Sequence, residues 1–217
     1  MPVRRALEVA CGDAPHLEAL HRLGWEYVGL DRSARMLAHV RRKAAACGAR
    51  VRTLRADLRD FRLRPPADFG FVLFGSVYRT SNAEFLAHLG CMARALRRGA
   101  LYVLHMLPDG RIDHVARRWQ GTSRRGRVTV RVTYEREIID ASRQLRRETL
   151  VLRVNDGGRR ATVVERCLDK FILPQELLLL LERSAFELVG WYDGFDLRRK
   201  FDGRRAANYV VSVLRRK

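Results

Sequence analysis

The sequence predicts an α/β protein: a doubly wound, seven-stranded, mostly parallel sheet with an antiparallel hairpin insertion. Three observations lead there. Short apolar runs alternate with stretches of helical spacing over the first half of the chain, this alternation stops near residue 110, and long period-two strands follow before helix and strand return. With 217 residues and 47% apolar content, the chain suits a single domain, 1–217, in which 111–173 is a β-rich insertion.

Residues 5–10 (RALEVA) form the first strand, which stops at Cys11-Gly12-Asp13. Residues 15–23 have helical spacing at Leu17, Leu20 and Leu23, with Gly24 as a stop. The second strand, 26–30 (EYVGL), ends on Asp31, and Ser33 caps a helix that Gly48 terminates. Residues 51–56 alternate and lead to Asp57, and 69–74 read as a strand buried on both faces. A helix over 82–96 precedes a fifth buried strand, 100–107 (ALYVLHML). Three alternating strands follow at 128–139, 144–155 and 160–173, broken by Asp140-Ala141-Ser142 and Asn155-Asp156-Gly157-Gly158. Pro174 opens a leucine-rich helix, and strands 186–191 and 208–214 complete the sheet.

The charge is strongly positive: 43 Lys+Arg against 24 Asp+Glu give +19. Only four of the 43 are lysine, and the arginines are spread over the whole chain, which suits the codon bias of a GC-rich genome. Locally, residues 114–134 contain no acid and hold Arg117, Arg118, Arg124, Arg125, Arg127 and Arg131, a pattern that keeps a nucleic-acid partner open. Cys11, Cys47, Cys91 and Cys167 form no C-x-x-C pair, so neither a zinc site nor a disulfide framework is expected, and a reducing cytoplasm fits. No apolar run approaches the ~20 residues that span a bilayer.

The chemistry concentrates at the first turns. Ala10, Gly12 and Ala14 are small enough to let backbone approach a ligand closely. Asp31, 23 residues after Glu8, is placed to accept both hydroxyls of a ribose, and Asp57 to receive an adenine amino group. A dinucleotide fingerprint would need a third small residue where Pro15 stands, and Glu8 and Asp13 would repel its pyrophosphate. S-adenosylmethionine has no phosphate, and its ammonium and sulfonium are attracted by acids. The acids select S-adenosylmethionine.

At these residues the sequence resembles the class I S-adenosylmethionine-dependent methyltransferases. Residues 7–16 (LEVACGDAPH) are similar to their glycine-rich first motif and 27–37 (YVGLDRSARML) to the second; Ala56-Asp57-Leu58 is similar to the third, and 68–76 (DFGFVLFGS) to the fourth. The resemblance implies cofactor contacts from Glu8, Ala10, Cys11, Gly12, Asp31, Arg32, Met36, Asp57, Leu58 and Phe74. It implies that substrate arrives near Phe74, Ser76 and Tyr78, with Tyr78 and His105 as catalytic candidates, and that 111–173 lies on the substrate side. A lone histidine in an apolar strand is more often an interior residue than a base, and nothing beside Cys11 in sequence activates its thiol. Members usually carry a leading helical segment over the methionine end of the cofactor. Here the first strand begins a few residues into the chain, consistent with a mis-called start, an open pocket or a lid supplied by a partner. The implied function is methylation of a small-molecule nitrogen or oxygen, with nitrogen slightly favoured. An RNA methyltransferase and a degenerate, non-catalytic binding protein are the alternatives. The alternating apolar face of the insertion suggests a homodimer.

Overall fold

In a computed structural model, the described residues are 2–73, 76–77, 80–107, 118–204, 207 and 210–217. The main sheet has seven strands in the order β10-β11-β5-β4-β1-β2-β3. β1 (Arg5–Val9), β2 (Glu26–Asp31), β3 (Val51–Arg55), β4 (Ala67–Val72) and β5 (Leu96–Leu107) run parallel, while β11 (Val210–Arg216) lies antiparallel to both β5 and β10 (Phe186–Asp193). Helices contribute to two separate cores, as the alternating pattern requires.

Successive strand residues point to opposite faces, so each face has its own apolar layer. Leu7, Val9, Val28 and Leu30 join Phe85, Leu89 and Met92 of α3 (Asn82–Ala95) and Leu177, Leu180 and Leu181 of α4 (Pro174–Glu182) in the larger core. Tyr27 and Cys11 pack on the other face with Leu17 of α1 (Leu17–Arg22) and Leu37, Val40 and Ala44 of α2 (Ala34–Cys47). Ser33 caps α2 through the Met36 amide, and Gly48 ends it at φ 69°, both as the sequence indicates.

Three expectations shift. α1 is only six residues long, because the turn preceding it occupies the chain through His16. β5 starts at Leu96 instead of residue 100, since α3 passes directly into the strand. β6 (Arg118–Arg125) was not expected, because RWQGTSRR has no apolar alternation; its ladder to β7 (Val128–Asp140) makes it a strand. With β8 (Leu145–Asp156) and β9 (Arg159–Lys170) it completes a four-stranded meander, β6-β7-β8-β9.

The register separates the two faces of this second sheet. One face carries the rows Gly121–Val132–Leu152–Val163 and Ser123–Val130–Val154–Ala161. Toward the main sheet the same face becomes a buried charged network. Arg146 reaches Asp169 at 2.7 Å and Glu148 at 3.0 Å, and Glu148 also accepts from Arg136 at 3.0 Å. The opposite face carries Thr122–Arg131–Arg153–Thr162 and Arg124–Thr129–Asn155–Arg160. Of the acid-free stretch, Arg118, Arg124, Arg125, Arg127 and Arg131 are all exposed, and Arg117 lies outside the described residues. The arginines that turn inward, Arg136 and Arg146, lie beyond that stretch.

Candidate cofactor site

A cavity of about 510 Å³ opens at the carboxyl ends of β1, β2 and β3, within the usual range for a small-molecule site. Ala10, Asp31, Arg32, Asp57 and Leu58 line it together, so all three predicted turns contribute to the wall. Opposite them, Glu165 and Leu168 of β9 close the space, so the insertion forms part of the wall.

The turn after β1 owes its shape to three left-handed residues, Ala10 (φ 53°), Gly12 (φ 51°) and Ala14 (φ 51°). Alanine in this region costs roughly 1–2 kcal/mol per residue, and the surrounding hydrogen bonds hold it there. The Cys11 amide donates to Leu30 O at 3.0 Å, the Ala14 amide to Cys11 O at 2.8 Å, and the Gly12 amide to Asp31 Oδ2 at 2.9 Å. Asp31 Oδ1 accepts from the Ser33 amide at 2.8 Å. Each Asp31 oxygen therefore keeps one lone-pair site for an incoming hydroxyl, a donor set that fits a ribose diol.

Glu8 is buried beneath the turn and does not line this cavity. Its Oε2 accepts from the Tyr27 hydroxyl, its Oε1 lies 2.9 Å from His16 Nδ1, and burial raises its pKa. Cys11 is packed against Gly29, where an added Cβ would sit 2.9 Å from Sγ; burial and the nearby Asp31 push its thiol up to about 12. It is a filler without nucleophilic character. Gly12 contributes through its amide, and Met36 stands partly exposed on α2, neither of them on the cavity wall.

Asp57 shows what the sequence did not. Arg59 binds its carboxylate through Nε at 2.9 Å and Nη2 at 2.8 Å, and its backbone amide adds a third bond at 2.9 Å. The guanidinium holds the Asp57 pKa down at about 2. Arg59 also pairs with Glu84, which accepts from the Thr80 amide at 2.6 Å. Arg59, Thr80 and Glu84 are further wall residues. The pattern Ser81-x-x-Glu84 was a legible helix-start signal, whereas nothing in β9 marked Glu165 or Leu168.

On the substrate side, Ser76 lines the cavity, while Phe74 and Tyr78 lie outside the described residues. His105 is partly buried on β5 with its ring 5.2 Å from Phe195. Burial, and then the charge of Arg136, lower its pKa to about 4. Among the described residues, no group of His, Cys, Asp and Glu could hold a metal ion.

An imidazole held this low stays neutral through the physiological range. The unfolded chain takes up the proton first, so the stability His105 contributes is complete above about pH 6.5 and is lost as pH falls toward 4. In an NMR titration His105 should have its midpoint well below 6. Arg136→Leu should raise that midpoint without restoring the ordinary value, because burial remains. A wild-type midpoint near 6.5 would contradict the assignment.

Comparison with known proteins agrees with this geometry. Residues 6–99 match the family model of a methyltransferase domain. Among solved structures, an S-adenosylmethionine-dependent methyltransferase from Clostridium acetobutylicum superposes with a TM-score of 0.83 at 14% identity, covering 99% of this chain and 85% of the other. The S-adenosylmethionine-bound aminopentose methyltransferase CalS10 from Micromonospora echinaspora gives 0.74 at 22%, covering 99% and 84%. The sugar N-methyltransferase KedS8 from Streptoalloteichus gives 0.77 at 22%, covering 99% and 81%. A search of curated protein sequences finds no significant match. The structural likenesses carry the fold, and the matched methyltransferase domain spans the residues that build the β1–β3 wall.

Proposed function

We propose that the protein is an S-adenosylmethionine-dependent methyltransferase that acts on a nitrogen atom of a small molecule. The observation that carries this reading is the state of His105, the candidate base among the described residues, whose pKa near 4 makes it a poor acceptor for a hydroxyl proton. An amine needs only to arrive neutral. The sugar-amine specificity in the names of two structural relatives supports the same choice.

When bound, the cofactor supplies both the activated methyl group and its own leaving group. The chain supplies position and electrostatics. Asp31 would hold the ribose hydroxyls and Asp57 and Leu58 the adenine edge, while Ala10 and Gly12 let the turn approach the methionine portion. Ser76, on the cavity wall, would border the acceptor, with Glu165 and Leu168 of β9 opposite; neutral His105 lies on β5 and is not among the wall residues. Four free cysteines, and the absence among the described residues of a helix long and apolar enough to cross a membrane, support a cytoplasmic setting.

A second reading keeps a specific observation behind it. On the outer face of the meander, Arg124, Arg131, Arg153 and Arg160 are exposed and share two rows with threonine and asparagine, with no acid in either row. Arg131 and Arg153 are directly opposite, an arrangement that costs free energy without an anion between them. A nucleic-acid backbone fits such a cationic, acid-free surface.

We also propose that a second copy covers the other face of the meander. Its Val130, Val132, Leu152 and Val154 are only partly buried, and Val163 is 54% exposed. A sheet with one apolar face needs a second layer, and a self-complementary face gives a twofold dimer.

Four measurements test these proposals. Asp31→Ala should weaken binding of S-adenosylhomocysteine by ~1.5–3 kcal/mol in calorimetry; undiminished affinity would remove Asp31 from the site. A panel of amino and hydroxyl sugars, assayed by S-adenosylhomocysteine release, should show turnover of amines alone. Turnover confined to alcohols would refute the nitrogen reading, and sub-micromolar, salt-sensitive RNA binding abolished by Arg131→Ala/Arg153→Ala would promote the second one. Sedimentation should find a dimer that Val163→Asp dissociates; a monomer at high micromolar concentration would exclude it.

A further inference from the structure

Helix α3 carries Glu84, His88 and Cys91 at spacings of four and three, which places them along one stripe. All three end on the same short segment. Glu84 pairs with the Arg59 guanidinium, His88 Nδ1 lies 2.9 Å from Leu58 O, and Cys91 Sγ lies 3.2 Å from Arg59 O. Of these helix residues only Glu84 lines the cavity, whereas the segment they hold, Asp57-Leu58-Arg59, is its wall.

His88 is the centre of the arrangement. It is fully buried, at 0% exposure. The Leu58 carbonyl can only accept, so Nδ1 bears the hydrogen; in the neutral ring Nε2 then accepts from the Tyr102 hydroxyl, 2.7 Å away. Tyr102 is itself fully buried in β5. The cavity wall is thus tied, through one imidazole, to the interior of the sheet.

We infer that this stripe, with His88 as its positioning residue, sets the purine selectivity of the cofactor site. The inference rests on the cofactor reading above and adds residues outside the cavity to it. The Asp60 amide donates to Asp57 O at 3.0 Å, which fixes the peptide plane whose other edge is the Leu58 N–H. The Asp57 carboxylate takes three bonds from Arg59 and keeps one of its four lone-pair sites. The wall therefore offers one donor and one acceptor side by side. Adenine presents the complement, a ring-nitrogen acceptor beside an amino donor. Hypoxanthine presents the reverse, an N–H donor beside a carbonyl. Discrimination between them requires both wall groups to hold their orientation, and His88, Glu84 and Cys91 prevent the segment from turning.

The test compares calorimetric affinities for S-adenosylhomocysteine and S-inosylhomocysteine in the full chain. Wild type should prefer the adenine compound by about tenfold or more. His88→Leu should shrink that preference by about fivefold, chiefly through weaker binding of the adenine compound, and Tyr102→Phe should shift it less in the same direction. His88→Gln, which can both donate to Leu58 O and accept from Tyr102, should restore most of the preference. A merely structural His88 would lower the melting temperature and leave the ratio unchanged; an unchanged ratio in a folded variant overturns the inference. Should His88→Leu fail to fold, Tyr102→Phe and His88→Gln give the same readout. A wild type that binds neither compound overturns the cofactor reading itself, an outcome distinct from intact binding with an unchanged ratio.

Discussion

The two amides that Asp31 accepts, Gly12 from one turn and Ser33 from the next, are the contacts on which the site depends. The Gly12 bond ties the turn after β1 to the end of β2 where the sheet's own ladder has run out, and the Ser33 bond holds the carboxylate in place. Without them the left-handed residues of the first turn would have little to offset their strain, and the cavity floor would lose its shape. The same carboxylate is left with capacity for a ligand, so the group that organises the site is also the one that would engage an occupant. Beneath it, Glu8 plays the complementary part: enclosed by Tyr27 and His16, it braces the turn from inside the sheet.

Much of this was legible in the residues. Apolar runs ending on Gly12, Asp31 and Asp57 located three turns on one edge, because parallel strands separated by crossovers must place their carboxyl ends together. The cap at Ser33 and the stop at Gly48 are local chemistry and were read from local sequence. What escaped depends on pairing across distance. β6 is a strand because β7 offers it a ladder, although its own residues alternate poorly. Leu168 and Glu165 reach the cavity because a meander folds back over the main sheet, which no spacing within β9 reveals. The capture of Asp57 by Arg59 lay only two residues away, yet many Asp-x-Arg pairs point apart; the turn's backbone decides.

The meander combines three environments in one layer. Its outer face is a row of cations and hydroxyls, the distal part of its inner face is aliphatic, and the proximal part is a closed network of Arg136, Arg146, Glu148 and Asp169. Alternation accounts for the first two. The third is a polar core in which each charge is matched by its neighbours across the strands, and it fixes the register of β7, β8 and β9 where a slip by one residue would expose aliphatic side chains and bury arginines.

The strand order has a consequence for biosynthesis. β11 is inserted between β5 and β10, so the seventh strand enters an interior place and not an edge. Until the ribosome has released residues 210–216, β5 presents an unpaired flank and the chain carries a long β meander with no finished sheet beneath it. The meander's neighbours in space are neighbours in sequence, and it can form early; β5 must wait about a hundred residues for its partner. During that interval the nascent chain exposes a strand edge, and a chaperone or rapid local collapse would have to shield it.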